Sequence, residues 1–123
     1  MSRQSRRMLL ADQNVDVRHA LALLLRTALD LEVVGEAGDF TGLSARSREQ
    51  ADLLLVEWAG IALEAPGLLA ELRALNERLR IVVLSTQPED RTAAIAAGAD
   101  AFISKVDPPD QVLAVVRAVL TSG

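Results

Sequence analysis

The chain has 123 residues, of which 50% are hydrophobic and 24% are charged, and its formal net charge is −4. This length and composition indicate a single globular domain, residues 1–123, with a sizeable core. The negative charge disfavours non-specific binding of nucleic acid, and the absence of cysteine excludes disulfides and thiolate metal sites. We expect a cytoplasmic protein, because no segment has the apolar length of a signal peptide or a membrane span.

The first part of the chain alternates apolar runs with helix-like segments. Residues 1–6 are polar and basic and predict a flexible N-terminal tail. The apolar run 8–11 predicts a strand, and residues 15–29 then place hydrophobic residues at helical spacing: Val17, Leu21, Leu24, Leu25 and Ala28. Residues 32–37 predict a short second strand, and residues 41–47 predict a polar helix.

The middle of the chain repeats this alternation. The apolar run 53–56 has the composition of a strand that is buried on both faces. Residues 68–75 repeat leucine at helical spacing behind the breaker formed by Pro66 and Gly67. Residues 81–84 predict the next strand.

The last part of the chain adds two helices and one strand. Residues 88–97 predict a helix that ends at Gly98, and residues 101–104 predict a fifth strand. Asp107 is the expected N-cap of a final helix over residues 109–120. Five strand–helix units with crossovers of this length predict a doubly wound α/β fold with right-handed connections and a parallel sheet in the order 2-1-3-4-5.

Polar side chains stand at or just after the ends of four predicted strands: Asp12, Gln13, Glu57, Ser85 and Lys105. In a parallel sheet with helices between the strands, the carboxyl ends of all strands lie at one edge. The crevice at that edge is where open α/β folds bind ligands. The pattern therefore predicts a functional site that contains two carboxylates, an amide, a hydroxyl and an ammonium group.

Five segments, taken in order, resemble the receiver domains of bacterial two-component response regulators. They are residues 8–18 (MLLADQNVDVR), 33–37 (VVGEA), 51–57 (ADLLLVE), 81–85 (IVVLS) and 97–105 (AGADAFISK). The resemblance covers essentially the whole chain and is closest to receivers that precede a helix-turn-helix effector. It implies a flavodoxin-like fold, a role in transcriptional regulation, and a protein partner: an effector domain, a sensor kinase or a second copy.

The resemblance also implies site roles, and three features depart from the family pattern. The acidic pair of the family falls on Asp12 and Gln13, the phosphorylated aspartate on Glu57, the switch residues on Ser85 and Phe102, and the pocket lysine on Lys105. One metal-binding carboxylate has thus become an amide, and the acceptor is longer by a methylene group. The Pro-Gly-x-x-Gly loop expected after the acceptor is replaced by residues 58–65.

These departures predict a degenerate site. Gln13 offers Mg²⁺ an oxygen but no charge, and the longer side chain of Glu57 displaces the nucleophilic oxygens by about 1 Å, an error that can cost about a hundredfold in rate. We therefore expect no enzymatic activity, no cofactor beyond weakly bound Mg²⁺, and an ion pair between Glu57 and Lys105. The leading hypothesis is an interaction module that works without phosphorylation. The alternative is a receiver with slow, Mg²⁺-dependent phosphotransfer to Glu57.

Simpler interpretations stay open for several residues. Asp12 and Ser85 could cap the helices that follow their strands, and Lys105 could be a surface lysine. Trp58 is more typical of packing at the rim than of a binding platform, and the lone His19 is expected to be exposed and inert. A zinc site, a Ser-His-Asp hydrolase and a nucleotide-binding loop have no support in the sequence. Extra apolar residues on the terminal helices, Leu23, Leu113 and Val115, predict a dimer face.

Overall fold

The structure, a computed structural model, describes residues 6–121. Its strands are β1 (Arg7–Ala11), β2 (Glu32–Ala37), β3 (Leu53–Glu57), β4 (Arg80–Ser85) and β5 (Ala101–Ser104). Its α-helices are α1 (Val15–Leu29), α2 (Ala45–Gln50), α3 (Ala65–Leu75), α4 (Asp90–Ala96) and α5 (Pro109–Thr121). Short 3₁₀ turns, Phe40–Gly42 and Trp58–Gly60, follow β2 and β3. Within the described range, no helix is both long and apolar enough to cross a membrane.

The five strands form one parallel sheet in the order β2-β1-β3-β4-β5. Leu54 of β3 packs into a core with Leu69 of α3 and Ala94 of α4. The adjacent Leu55 packs into a second core with helices α1 and α5. Because alternate residues of a strand face opposite sides of the sheet, helices cover both faces, and Leu53–Val56 of β3 are all buried. The predicted doubly wound α/β fold and its strand order are confirmed.

The prediction of a single helix over residues 41–47 is wrong. Phe40–Gly42 forms a 3₁₀ turn, and α2 begins only at Ala45. The side chains of Asp39 and Ser44 each accept a hydrogen bond from the backbone N–H three residues further on. Two caps five residues apart therefore divide the segment into two short elements.

The boundaries of α3 and α4 also differ from the prediction. Pro66 and Gly67 lie in the first turn of α3, where the missing N–H of proline removes no helical hydrogen bond. Helix α4 begins at Asp90, two residues later than predicted. Gly98, just past its end, has a φ of 114°, which a residue with a side chain rarely adopts.

The prediction that Asp107 caps α5 is wrong as well. The carboxylate of Asp107 accepts a hydrogen bond from the N–H of Ser104 and thus turns back toward β5. At the start of α5, the carbonyl of Pro108 accepts the N–H groups of Gln111 and Val112. The aspartate therefore fixes the loop between β5 and α5, and the backbone closes the first turn of the helix.

The terminal helices use most of their apolar surface inside the domain. Val112, Val116 and Val119 of α5 are buried. Leu113, Val115 and Leu120 are partly buried against the same core, although the helical pattern places Leu120 in the core stripe. Leu23 of α1 is 61% exposed. The dimer face stays a prediction that depends on Leu23 and on the exposed parts of Leu113 and Val115.

The predicted N-terminal tail, residues 1–6, lies outside the described residues except for Arg6. The carbonyl of Arg6 accepts the N–H of Glu32 at 2.8 Å, and its guanidinium donates to the carbonyl of Leu120 at 2.6 Å. Arg6 therefore connects the start of the first strand to both β2 and the last helix.

Candidate functional site

The carboxyl ends of β1, β3 and β5 bring three charged side chains into contact. The Nζ of Lys105 lies 2.7 Å from Oε2 of Glu57, to which it donates a hydrogen bond. It also lies 2.5 Å from Oδ2 of Asp12, in an ion pair without regular hydrogen-bond geometry. The predicted pair of Glu57 and Lys105 is present in the structure, and Asp12 adds a second carboxylate to it.

All three charged groups are largely withdrawn from solvent. The exposed fraction of the side chain is 1% for Asp12, 15% for Glu57 and 11% for Lys105. A charge buried to this extent costs several kcal/mol unless an opposite charge compensates it. Both carboxylates lie within ion-pair distance of Lys105, so its single positive charge faces two negative charges. The interpretation of Lys105 as a free surface lysine is therefore wrong.

Asp12 is held by the start of α1. Its Oδ1 accepts the N–H of Asn14 at 2.9 Å, and its carbonyl accepts a hydrogen bond from the guanidinium of Arg18 at 2.6 Å. The cap of α1 is Asn14, whose side chain accepts the N–H groups of Asp16 and Val17. Asp12 thus orders the turn before the helix, and its other oxygen faces Lys105.

Gln13 contributes its backbone to the site. Its N–H donates to Oε1 of Glu57 at 3.2 Å, while the residue as a whole is exposed. Both carboxylate oxygens of Glu57 are therefore engaged, one by Lys105 and one by Gln13. These two contacts, both from the same chain, compensate the negative charge of the Glu57 carboxylate.

Ser85 lies beside Lys105, whose N–H its carbonyl accepts at 2.8 Å, but its hydroxyl is bonded to the start of α4. Its hydroxyl donates to Oδ2 of Asp90 at 2.7 Å and accepts the N–H of Gln87 at 3.0 Å. The single hydroxyl proton of Ser85 is thus committed to the first turn of α4. The sequence analysis did not identify Asp90. The signal for this contact is a hydroxyl at the end of a strand followed, five residues later, by an acid at the start of a helix.

The aromatic side chains near the site pack into the core. Phe102 of β5 is buried in the core on the α3 and α4 side of the sheet. Trp58, directly after Glu57, is partly buried against the same core, as expected for packing at the rim. His19 is 69% exposed and its Nε2 lies 3.9 Å from Oε1 of Glu36, away from the charged group.

The charge distribution favours the protonated form of Lys105. Burial alone would lower the pKa of Lys105, but its close contacts with Asp12 and Glu57 and their negative charges outweigh that effect. The pKa of Lys105 is therefore raised above its ordinary value. The ammonium group acts as a permanent internal cation at neutral pH.

This donor set does not fit a divalent cation as it stands. Mg²⁺ takes oxygen ligands at about 2.0–2.1 Å and usually needs one or two carboxylates with free lone pairs. Both candidate carboxylates, Asp12 and Glu57, already contact the ammonium of Lys105, and the third predicted ligand, Gln13, is neutral. Among residues 6–121, no three acidic, histidine or cysteine side chains cluster so as to hold a metal ion.

The raised pKa of Lys105 predicts a stability that is lost only in strong alkali. A raised pKa in the folded state adds stability that is complete below the ordinary value of 10.5 and declines as the pH rises through the folded value. We expect the titration midpoint of the lysine, followed by NMR of lysine-labelled protein, to lie above 10.5, the ordinary value. The chain has no tyrosine and no second lysine, so no other side-chain signal overlaps.

Glu57→Gln provides the control for this titration. Removing one of the two negative neighbours should lower the midpoint toward the value of lysine in the urea-unfolded protein. A midpoint in the folded wild type at or below that of the unfolded chain would contradict the charged arrangement.

No family model and no curated protein matches the sequence, but many solved structures share its fold. The receiver domain of NarL from Mycobacterium tuberculosis is 19% identical, with a TM-score of 0.73 over 98% of this chain and 100% of that one. The structure of CheY6 with the P1 domain of CheA3 from R. sphaeroides matches at 18% identity and a TM-score of 0.80, over 97% of this chain and 100% of that one.

A two-component response regulator of the LuxR family from Aurantimonas sp. SI85-9A1 gives a similar result. It is 21% identical, with a TM-score of 0.79 over 95% of this chain and 86% of that one. At these identities the likeness establishes the fold, which is the flavodoxin-like fold of response regulator receiver domains.

Proposed function

We propose that the chain is a degenerate receiver domain, an interaction module of two-component-type transcriptional regulation that works without a phosphorylation cycle. The observation that carries the proposal is the contact of Lys105 with both Asp12 and Glu57. An ammonium group here supplies the positive charge that a metal ion would supply during phosphoryl transfer. Both carboxylates thus have a cationic partner before any metal or phosphoryl group arrives.

The surroundings of Glu57 support the same proposal. Phosphorylation would require one oxygen of Glu57 to exchange its contact with Lys105 or Gln13 for a bond to phosphorus. A phosphoryl group there would also find the proton of Ser85 already donated to Asp90. Electrostatic catalysis needs donors that are free and aimed at the developing charge, and these donors are engaged elsewhere.

We propose a protein as the partner of this domain. CheY6, which shares the fold, was solved in complex with the P1 domain of CheA3. The LuxR-family protein, which also shares the fold, is a two-component response regulator and supports a place in two-component signalling. An effector domain, a sensor kinase or a second copy of the chain fits this role, whereas the net charge of −4 disfavours direct contact with nucleic acid.

A magnesium titration tests the proposal. Trp58 is the only tryptophan and follows Glu57 directly, so its fluorescence reports cation binding at the charged group. We expect no saturable change up to millimolar Mg²⁺ in the wild type, because Lys105 already compensates both carboxylates. The variant Gln13→Asp/Glu57→Asp, which adds a carboxylate and shortens the acceptor, should bind Mg²⁺ measurably.

A saturating fluorescence change at sub-millimolar Mg²⁺ in the wild type would overturn the proposal. It would instead favour the second candidate, a receiver with slow Mg²⁺-dependent phosphotransfer to Glu57.

A further inference from the structure

A cleft of about 250 Å³ lies between α1 and α5, on the side of Lys105 away from the α3 and α4 core. Leu21 and Leu24 of α1 and Val112 of α5 form apolar walls. Leu84 and Ile103, from the ends of β4 and β5, also line it. An apolar concave surface with a few polar groups is the usual form of a small-molecule site.

The polar lining of the cleft offers a carboxylate and no free cation. Lys105 belongs to the wall, but its ammonium contacts Asp12 and Glu57. Asp107 also belongs to the wall, and of its oxygens only Oδ2 has a hydrogen bond within the described part of the chain, from the N–H of Ser104. Its Oδ1 accepts no hydrogen bond within residues 6–121.

The N-termini of the helices beside the cleft do not reverse its preference for a cationic ligand. The N-terminus of a helix is partly positive and by itself would favour an anion. Here, however, α1 and α5 each carry an aspartate in the first turn, Asp16 and Asp110, which offsets that charge. The three charges around Lys105 sum to −1, which adds to the negative character of the region.

We propose that this cleft binds a small organic amine, with its apolar body between Leu21, Leu24 and Val112 and its ammonium group on Asp107. The volume limits the body: a dry cavity of about 150 Å³ holds benzene, so about 250 Å³ holds a bicyclic ring or a branched chain of similar size. The site is independent of phosphorylation, since none of its proposed contacts uses the carboxylate of Glu57.

Three indole compounds of similar size and different charge test the proposal on the full chain. Tryptamine is a cation at pH 7, 3-methylindole is neutral and indole-3-acetate is an anion. We expect amide NMR shifts in α1, α5 and the loop at Asp107 to saturate with tryptamine, with an affinity at least about fivefold above that of 3-methylindole. Indole-3-acetate should bind most weakly.

Matched variants assign the charge preference to one residue. Asp107→Asn keeps an acceptor for the N–H of Ser104 but removes the charge, and should make tryptamine and 3-methylindole bind equally. Glu77→Gln removes one negative charge from an exposed residue outside the cleft lining and should leave the preference within about twofold. Absence of saturable tryptamine binding, an equal or stronger response to indole-3-acetate, or an unchanged preference in Asp107→Asn would each overturn the proposal.

Discussion

Replacing Lys105 with methionine should lower the free energy of unfolding by about 3 kcal/mol at neutral pH. Methionine preserves most of the apolar stem but leaves the carboxylates of Asp12 and Glu57 buried beside each other without a cation. Removing one partner of a buried ion pair typically costs about 3–5 kcal/mol, and the partial exposure of Glu57 places the expected loss at the lower end. Urea unfolding followed by the fluorescence of Trp58 measures it.

A double-mutant cycle separates the energy of the ion pair from the packing energy of the lysine's apolar stem. Glu57→Gln combined with Lys105→Met should cost less than the sum of the two single variants, with a coupling above about 1 kcal/mol. A coupling below about 0.5 kcal/mol would mean that the two charges are independently solvated, and the internal-cation interpretation would lose its basis.

An exposed arginine provides the comparison for the loss of stability that we expect in Lys105→Met. Arg78 lies 3.9 Å from Asp52 in a pair whose arginine side chain is 67% exposed. Because an exposed pair contributes little, Arg78→Met should change the free energy of unfolding by no more than about 0.5 kcal/mol. A similar loss in both variants would indicate a general effect of removing positive charge from an acidic protein.

The sheet and the pair at its edge could be predicted because they follow from local patterns. Five apolar runs separated by crossover-length segments leave few arrangements for a parallel sheet, and all of their carboxyl ends then meet at one edge. Glu57 and Lys105 stand at the ends of β3 and β5, which flank β4, so topology places them at the same edge of the sheet. Because the glutamate side chain is long enough to reach the lysine, an ion pair between them is the simplest way to compensate both charges.

The remaining contacts depend on boundaries that the apolar pattern does not determine. Ser85 reaches Asp90 because α4 begins at Asp90 rather than two residues earlier, which brings the acid back over the strand end. The second partner of Lys105, Asp12, depends on side-chain directions within a crowded pocket. Polar caps at Asp39 and Ser44, which carry no hydrophobic period, likewise divided a predicted helix in two.

Incubation with acetyl phosphate and Mg²⁺ should leave the intact mass of the wild-type chain unchanged. The carboxylate of Glu57 is engaged by Lys105 and by the N–H of Gln13. Its side chain is also one methylene group longer than that of an aspartate. A displacement of about 1 Å from the geometry of attack costs about a hundredfold in rate. Gln13→Asp/Glu57→Asp should therefore accept a phosphoryl group at least about a hundredfold faster than the wild type, within the same time course.

Two further variants assign any added mass to the acceptor. Gln13→Asp/Glu57→Asn has the added carboxylate but no acceptor and should gain no phosphoryl group. Glu57→Gln is the matched control for the wild type. A stoichiometric added phosphoryl group in the wild type that is absent from Glu57→Gln would make Glu57 a working acceptor. Either Lys105 or the N–H of Gln13 would then have to release its oxygen of Glu57 during transfer, since each contacts one of the two oxygens that could attack phosphorus.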